Sequence, residues 1–385
     1  MSNKKIEIMD TTLRDGEQTS GISFSPIEKL SISKLLLEEL KIDRIEVASA
    51  RVSEGEMKAV KLITDWAKDS GFDDKIEILS FVDEGSSIKW MEKSGAKIQN
   101  LLTKGSINHL KNQIKKTPSQ HFKDISKVIQ YAEDHGIRTN VYLEDWSNGM
   151  KNSKSYVMDM VEFLSEKTVD RILLPDTLGV LTPALTKEFI KDITNNYPNI
   201  HFDFHAHNDY DLSVANVIES IRNGCKGIHI TVNGMGERAG NAPLASVVAV
   251  VNDFLKGYKI DINEKSLHKV SKLVSNFSGF RIPVNKPIVG DNVFTQTAGI
   301  HADGDNKKNL YFNDLLPERF GRKRKYALGK MSGKANIKKN LDELGLTLSN
   351  KEIEKVTERI ILLGDKKEKV TIEDLPYIIS DVIDS

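Results

Sequence analysis

Across the first two-thirds of the 385-residue chain, short runs of β-branched and aliphatic residues alternate eight times with longer stretches of helical spacing. No other feature limits the fold as strongly. The strand-like runs are Ile6–Asp10, Arg44–Ala48, Ile76–Phe81, Gln99–Thr103, Thr139–Asp145, Arg171–Asp176, His201–His207 and Gly227–Val232. Helical patterns lie between and after them, near 26–40, 55–69, 87–94, 118–135, 153–165, 183–195, 212–223 and 243–255. Ser25-Pro26 reads as an N-cap followed by proline at the first helical position. Eight strands each followed by a helix predict an α/β protein with a (β/α)8 TIM barrel of about 250 residues. A doubly wound sheet shows the same alternation but rarely eight regular units.

The rhythm changes after residue 260. Residues 276–285 are rich in Ser, Gly and Pro, and 287–304 have no clear period. A basic block, GRKRKYALGKMSGK (321–334), precedes two or three amphipathic helices over 337–384, with a break near Gly364-Asp365. The expected organisation is a catalytic barrel over 1–260, a linker subdomain over 261–330 that covers the barrel mouth, and a small helical subdomain over 331–385.

Composition narrows the function classes. Apolar residues make up 39% and charged residues 29%, as in a folded globular protein. Lys+Arg and Asp+Glu both number 55, which argues against a general polyanion binder and so against nucleic acid as partner. No run approaches 18 uninterrupted apolar residues, so no membrane span is expected. The N-terminus MSNKKIEIMD lacks the apolar core of a signal peptide, and Cys225 is the single cysteine. Together these fit a cytoplasmic protein in a reducing compartment.

The sharpest chemical signal is HFDFHAHNDY, 201–210. On a strand, residues two apart share a face, so His201, Asp203, His205, His207 and Asp209 point one way and Phe202, Phe204 and Ala206 the other. Barrel interiors are normally filled by Val, Ile and Leu, so this polar row needs a reason. Two imidazoles at the C-terminal end of the seventh strand suit a metal ion, although a polar core network without metal would read similarly. Asp15, after the first strand in DTTLRDGEQ, could complete a two-His, one-carboxylate site with open positions. Arg14 beside it suits an oxyanion or a carboxylate. Glu46, within the second strand, calls for a cation such as Arg14. Glu144 and Thr177 end strands five and six. The Gly-rich loop from Asn233 to Asn241 follows strand eight and is weak evidence for phosphate binding by itself. The basic block reads as a solvated face or as contact with a phosphorylated cofactor.

DTTLRDGEQ, HAHND and NGMGERAGNAP together resemble the acetyl-CoA-dependent α-keto-acid condensing enzymes, which include 2-isopropylmalate, citramalate and homocitrate synthases. GIHADG (299–304) and RKYALGKMSGKANI (324–337) resemble the post-barrel subdomains of that family. EVASARVSEGE, YLEDWSNG and NLYFNDLLPERFGRKR look most like its citramalate synthases. The resemblance implies that Asp15, His205 and His207 bind a divalent ion (Mn²⁺, Mg²⁺ or Zn²⁺), with Asn241 completing or supporting the set. It also implies that Arg14 sits over the keto oxygen and Thr177 holds the keto-acid carboxylate. Glu144 and His301 would handle the acetyl-CoA proton, assisted by Asp303 and Tyr311. A homodimer whose partner supplies His301 in trans is implied as well.

Leu79, Leu102 and Tyr142 match positions that line the keto-acid side-chain pocket in the pyruvate-using relatives. Bulky groups there leave room for a methyl and crowd an isopropyl, which favours pyruvate and citramalate (the isoleucine branch) over 2-oxoisovalerate and 2-isopropylmalate (leucine biosynthesis). A lyase or decarboxylase on the same metal barrel is the more distant alternative. The family's C-terminal regulatory domain would begin where this sequence stops, so the expectation is that neither leucine nor isoleucine alters turnover.

Overall fold

A computed structural model describes residues 3–305, 307–308 and 310–383. The chain divides into two compact units, 1–282 and 283–385.

Eight parallel strands close into a barrel in sequence order. They are β1 (Glu7–Asp10), β2 (Arg44–Ser49), β3 (Ile76–Phe81), β4 (Ile98–Lys104), β5 (Arg138–Glu144), β6 (Arg171–Asp176), β7 (Phe202–Ala206) and β8 (Gly227–Ile230). Each falls within two residues of its expected run. Most strand positions are buried on both faces, because helices cover the outside and side chains fill the inside. The covering helices are α1 (Pro26–Lys34), α2 (Glu54–Ser70), α3 (Ser86–Ser94), α4 (Pro118–Asp134), α5 (Lys154–Ser165), α6 (Pro183–Asn196), α7 (Ser213–Arg222) and α8 (Leu244–Phe254).

Local chemistry sets several helix starts. Ser25 and Glu28 form a reciprocal capping box ahead of Pro26, and Thr117 and Gln120 do the same ahead of Pro118. The expected helix over 26–40 is not uniform. After Lys34 one wider turn, Leu35–Glu39, closes with Leu40 N–H donating to Leu35 O at 2.9 Å. This turn sends Leu36, Leu37 and Leu40 all into the core.

Inside the barrel, side chains alternate along each strand and build tiers. In the floor, Arg44 lies between Glu77 (2.8 Å) and Asp203 (2.5 Å), and Arg171 pairs with Glu7 at 3.0 Å. One side-chain period further, Met9, Leu79, Tyr142 and Leu173 form a buried cluster against which Leu102 packs. The mouth begins above that cluster.

The division after Ile282 lies beyond the expected boundary at 260. Helix Leu267–Ser278 belongs to the barrel unit, where it buries Leu267, Val270, Ser271 and Val274. Asn233 holds it there, its Nδ2 donating to Ser271 O at 3.0 Å. The second unit shows no break near 330. Thr295–Gln296 pairs in parallel with Lys325–Tyr326, and Asn336 Nδ2 donates to Thr297 O at 3.2 Å. Its helices Lys334–Leu344, Asn350–Asp365 and Leu375–Ile383 share one core around Ile337, Val356, Ile360 and Leu375. Arg322, in the basic block, donates to the carbonyls of Ile288, Gly290 and Asp291, so this half-buried guanidinium ties together two segments of the second unit.

Candidate active site

Asp15 follows β1, where a tight turn gathers the amides of Arg14, Asp15 and Gly16 onto Thr11 O. His205 lies on β7 and His207 just past its end. Their Nε2 atoms stand 3.2 and 3.8 Å from Asp15 Oδ2. Among the described residues these three are the group of His, Cys, Asp or Glu able to hold a metal, with ligand atoms all within 4.8 Å of one another. Two ligands about 2.1 Å from one ion and at right angles stand roughly 3 Å apart, so the spacing fits.

Electrostatics favour the same protonation set. Burial pushes His207 down to about 4 and lowers His205 as well, so both imidazoles are neutral. Burial would raise Asp15, but the Arg14 charge and a hydrogen bond from His205 outweigh it and hold the carboxyl well below its usual range. A carboxylate with two neutral imidazoles is the form that binds a divalent ion. Asp15 Oδ1, His205 Nδ1, His207 Nδ1 and Asn241 Oδ1 are buried with no hydrogen-bond partner among the described residues. Buried polar atoms are rarely left so, although the floor has them too, at Glu77 Oε2 and Asp203 Oδ1, so it is the ligand spacing that points to a metal.

Asn241 is held beside His207 because the Gly-rich loop folds back over β7. His207 bridges to Asn241, Ala242 N–H donates to Ala206 O at 3.0 Å, and Asn208 N–H donates to Gly240 O at 2.9 Å. A Cβ on Gly240 (φ +79°) would lie 1.9 Å from Gly234 O. The glycine there serves close packing, which accounts for it without a phosphate.

Arg14 Nη1 contacts Asp15 Oδ2 at 3.1 Å, and its Nε meets Glu46 at 2.5 Å. Glu46 also accepts from Thr11 Oγ1 (2.9 Å) and Asn100 Nδ2 (2.8 Å), so the carboxylate within β2 does pair with Arg14. Tyr142 OH lies 3.0 Å from His229 Nδ1, and His229 Nε2 lies 3.1 Å from Asp203 Oδ2. This chain links the pocket wall to the floor.

These groups open into a pocket of about 180 Å³. Arg14, Asp15, His205 and His207 form its polar end, and Leu79, Leu102, Tyr142 and Pro175 its apolar side. Glu144 and Thr177 stand at its edge with Gln18 and Glu237. Thr177 Oγ1 accepts the Asp145 N–H at 2.9 Å, which leaves its hydroxyl proton available. Asp209 departs from the expected row: β7 ends at Ala206, and Asp209 turns outward to pair with Arg238 at 2.7 Å.

The HMGL-like family profile matches residues 5–274, and a second, described as homocitrate synthase post-HMGL domain-like, matches 288–368. The chain belongs to the HMGL-like family. The (R)-citramalate synthase of Methanocaldococcus jannaschii is 36% identical over 382 residues, covering 98% of this chain and 74% of that protein. The 2-isopropylmalate synthase of Sulfurisphaera tokodaii is also 36% identical, over 375 residues, covering 97% of this chain and 94% of that one. Among solved structures, an HMG-CoA lyase of Bacillus subtilis superposes with a TM-score of 0.62 at 18% identity, covering 75% of this chain and 98% of that one. That likeness concerns the fold alone. No helix among the described residues is long and apolar enough to cross a membrane.

Three expected residues of this HMGL-like enzyme lie in the second unit. There the His301 and Tyr311 rings sit 4.3 Å apart, and Asp303 pairs with Lys307 at 2.6 Å. The sequence reading missed Lys104, whose ammonium pairs with Glu144. The period-two rule would have found it, since Lys104 follows Leu102 by two on β4. Gln18 and Glu237 sat inside quoted motifs without a role, and His229 carried no local signal.

Proposed function

We propose that this HMGL-like enzyme condenses acetyl-CoA with pyruvate and water to give citramalate and free CoA. The single observation that carries the substrate choice is that Leu79, Leu102 and Tyr142 line the same pocket of about 180 Å³ as Asp15, His205 and His207. A wall of that bulk accepts a methyl group and crowds an isopropyl. The second reading, 2-isopropylmalate synthase acting on 2-oxoisovalerate, is favoured by the relative of that name at the same 36% identity. The match of the second unit to a synthase-type domain supports either over a lyase.

In the proposed mechanism Asp15, His205 and His207 hold a divalent ion, with Asn241 completing or supporting the set. Such an ion supplies Lewis acidity toward the keto group. Arg14 donates to the keto oxygen and stabilises the negative charge that grows there. The Thr177 hydroxyl donates to the keto-acid carboxylate. Glu144, working with His301, removes a methyl proton from acetyl-CoA, and that carbon bonds to the keto carbon. Asp303 and Tyr311 assist, and water then cleaves the thioester. His301, Asp303 and Tyr311 come from a second copy of the chain in a homodimer. Mixing inactive His301→Ala with inactive Asp15→Ala subunits, under verified exchange, should restore activity.

The deciding experiment follows thiol release from acetyl-CoA across a panel of keto acids. The expected result is the highest kcat/KM with pyruvate. Preference for 2-oxoisovalerate would make the protein a 2-isopropylmalate synthase, and no release with any keto acid would overturn the condensation.

A further inference from the structure

We infer that Lys104 is a positioning residue for Glu144, fixing the carboxylate at the pocket edge where the acetyl-CoA proton is removed. This rests on the proposed role of Glu144. Lys104 and Glu144 are registered neighbours at the ends of β4 and β5, directly above the Leu102–Tyr142 pair. Their side chains leave the strands on the same face, and the Lys104 ammonium pairs with the Glu144 carboxylate. Lys104 is only 8% exposed, unlike the solvated lysines in most surface pairs.

The backbone around the pair is built to hold it still. Lys104 N–H donates to His121 Nε2 at 3.2 Å, and Lys104 O accepts from Tyr156 OH at 2.8 Å. His121 can accept because burial pushes it down to about 4, leaving the imidazole neutral. The peptide that carries Lys104 O also closes the strand ends together, with Gly105 N–H donating to Glu144 O at 2.6 Å. A Cβ on Gly105 would lie 2.4 Å from Leu143 O, so the approach depends on glycine. The peptides on both sides of Lys104 are thus anchored by buried side chains, which fixes where its ammonium starts from. A glutamate alone has three rotatable bonds. The anchored ammonium removes that freedom at the residue whose aim decides the proton transfer.

The test is a double-mutant cycle on the metal-loaded protein, with Lys104→Met, Glu144→Gln and both together, and Lys104→Arg alongside. Misplacing a reacting group by about 1 Å can cost on the order of 100-fold, so Lys104→Met should lower kcat by about 10- to 100-fold. The keto-acid KM should stay the same, and Lys104→Arg should recover most of the loss. The double variant should be no slower than Glu144→Gln alone, because Lys104 acts only through Glu144. If Lys104→Met melts below the assay temperature, Lys104→Gln takes its place. Losses that multiply independently, or full kcat without the lysine, would overturn the inference while leaving the role of Glu144 intact. Full kcat in Glu144→Gln would overturn that role, and this inference with it.

Discussion

The barrel interior holds two polar tiers, and they differ in the groups each brings together. In the floor, Arg44 faces Glu77 and Asp203, so each buried charge meets an opposite one. At the mouth, Asp15 meets Arg14 but also faces two neutral imidazoles, His205 and His207, with which it forms the cluster able to hold a metal. Buried atoms without a hydrogen-bond partner among the described residues occur in both tiers, at Glu77 Oε2 and Asp203 Oδ1 as at Asn241 Oδ1. Both tiers come from the same strands, a few residues apart. The cluster of Met9, Leu79, Tyr142 and Leu173 lies between them. Burying polar groups is costly in either place unless something answers them. In the floor a guanidinium answers the carboxylates, and at the mouth a carboxylate and two imidazoles converge with the spacing of a metal site. Polarity inside a barrel therefore does not mark a site, but ligand groups converging at metal spacing do.

Substitutions should split along that line. His207→Ala at the mouth should lower condensation by about 10³-fold or more, since groups acting as a unit fail together. Its melting temperature should hardly change, because no floor charge loses a partner. A large loss of stability with retained turnover would erase the distinction. Arg44→Met should do the reverse. It strands Glu77 and Asp203, and removing one member of a buried pair costs about 3–5 kcal/mol. Denaturant unfolding would show this, while the folded fraction keeps turning over.

A smaller effect is expected where the tiers meet. Leu79→Ala adds room beside the keto-acid side chain without touching Asp15 or Arg14. It should move selectivity from pyruvate toward 2-oxoisovalerate by about 10- to 200-fold, measured as the ratio of kcat/KM values. The smallest effect concerns pH. His121 has a folded pKa near 4 against an ordinary value of 6.5, so below 6.5 the unfolded chain takes up a proton that the folded chain refuses. Its contribution to stability should fall as pH drops from 6.5 to 4 and level off below that. His121→Gln, which keeps an acceptor but does not titrate, should flatten thermal midpoints across that window.

Much of this was legible in the sequence, for identifiable reasons. The strands were legible because period-two and helical spacing alternate cleanly, and the mouth trio because His-x-His and Arg-Asp sit at strand ends. The floor was not. Asp203 was placed on the interior face, but its pairing with Arg44 depends on strand stagger around a closed barrel, which no local pattern encodes. Asp209 was misplaced because the alternation was carried past Ala206, where the strand stops. Lys104 was passed over because a lysine at a strand end looks like a solvated charge until its cross-strand neighbour is known.

The central claim is that the Asp15, His205 and His207 cluster at the mouth holds one divalent ion on which condensation depends. Its most direct test is Mn²⁺ titration into chelator-treated protein, with thiol release from acetyl-CoA and pyruvate followed in the same samples. The account predicts one ion per chain, activity returning in proportion to occupancy, and neither result in His205→Ala. Full turnover in the stripped protein, or binding that survives the loss of His205, would contradict it.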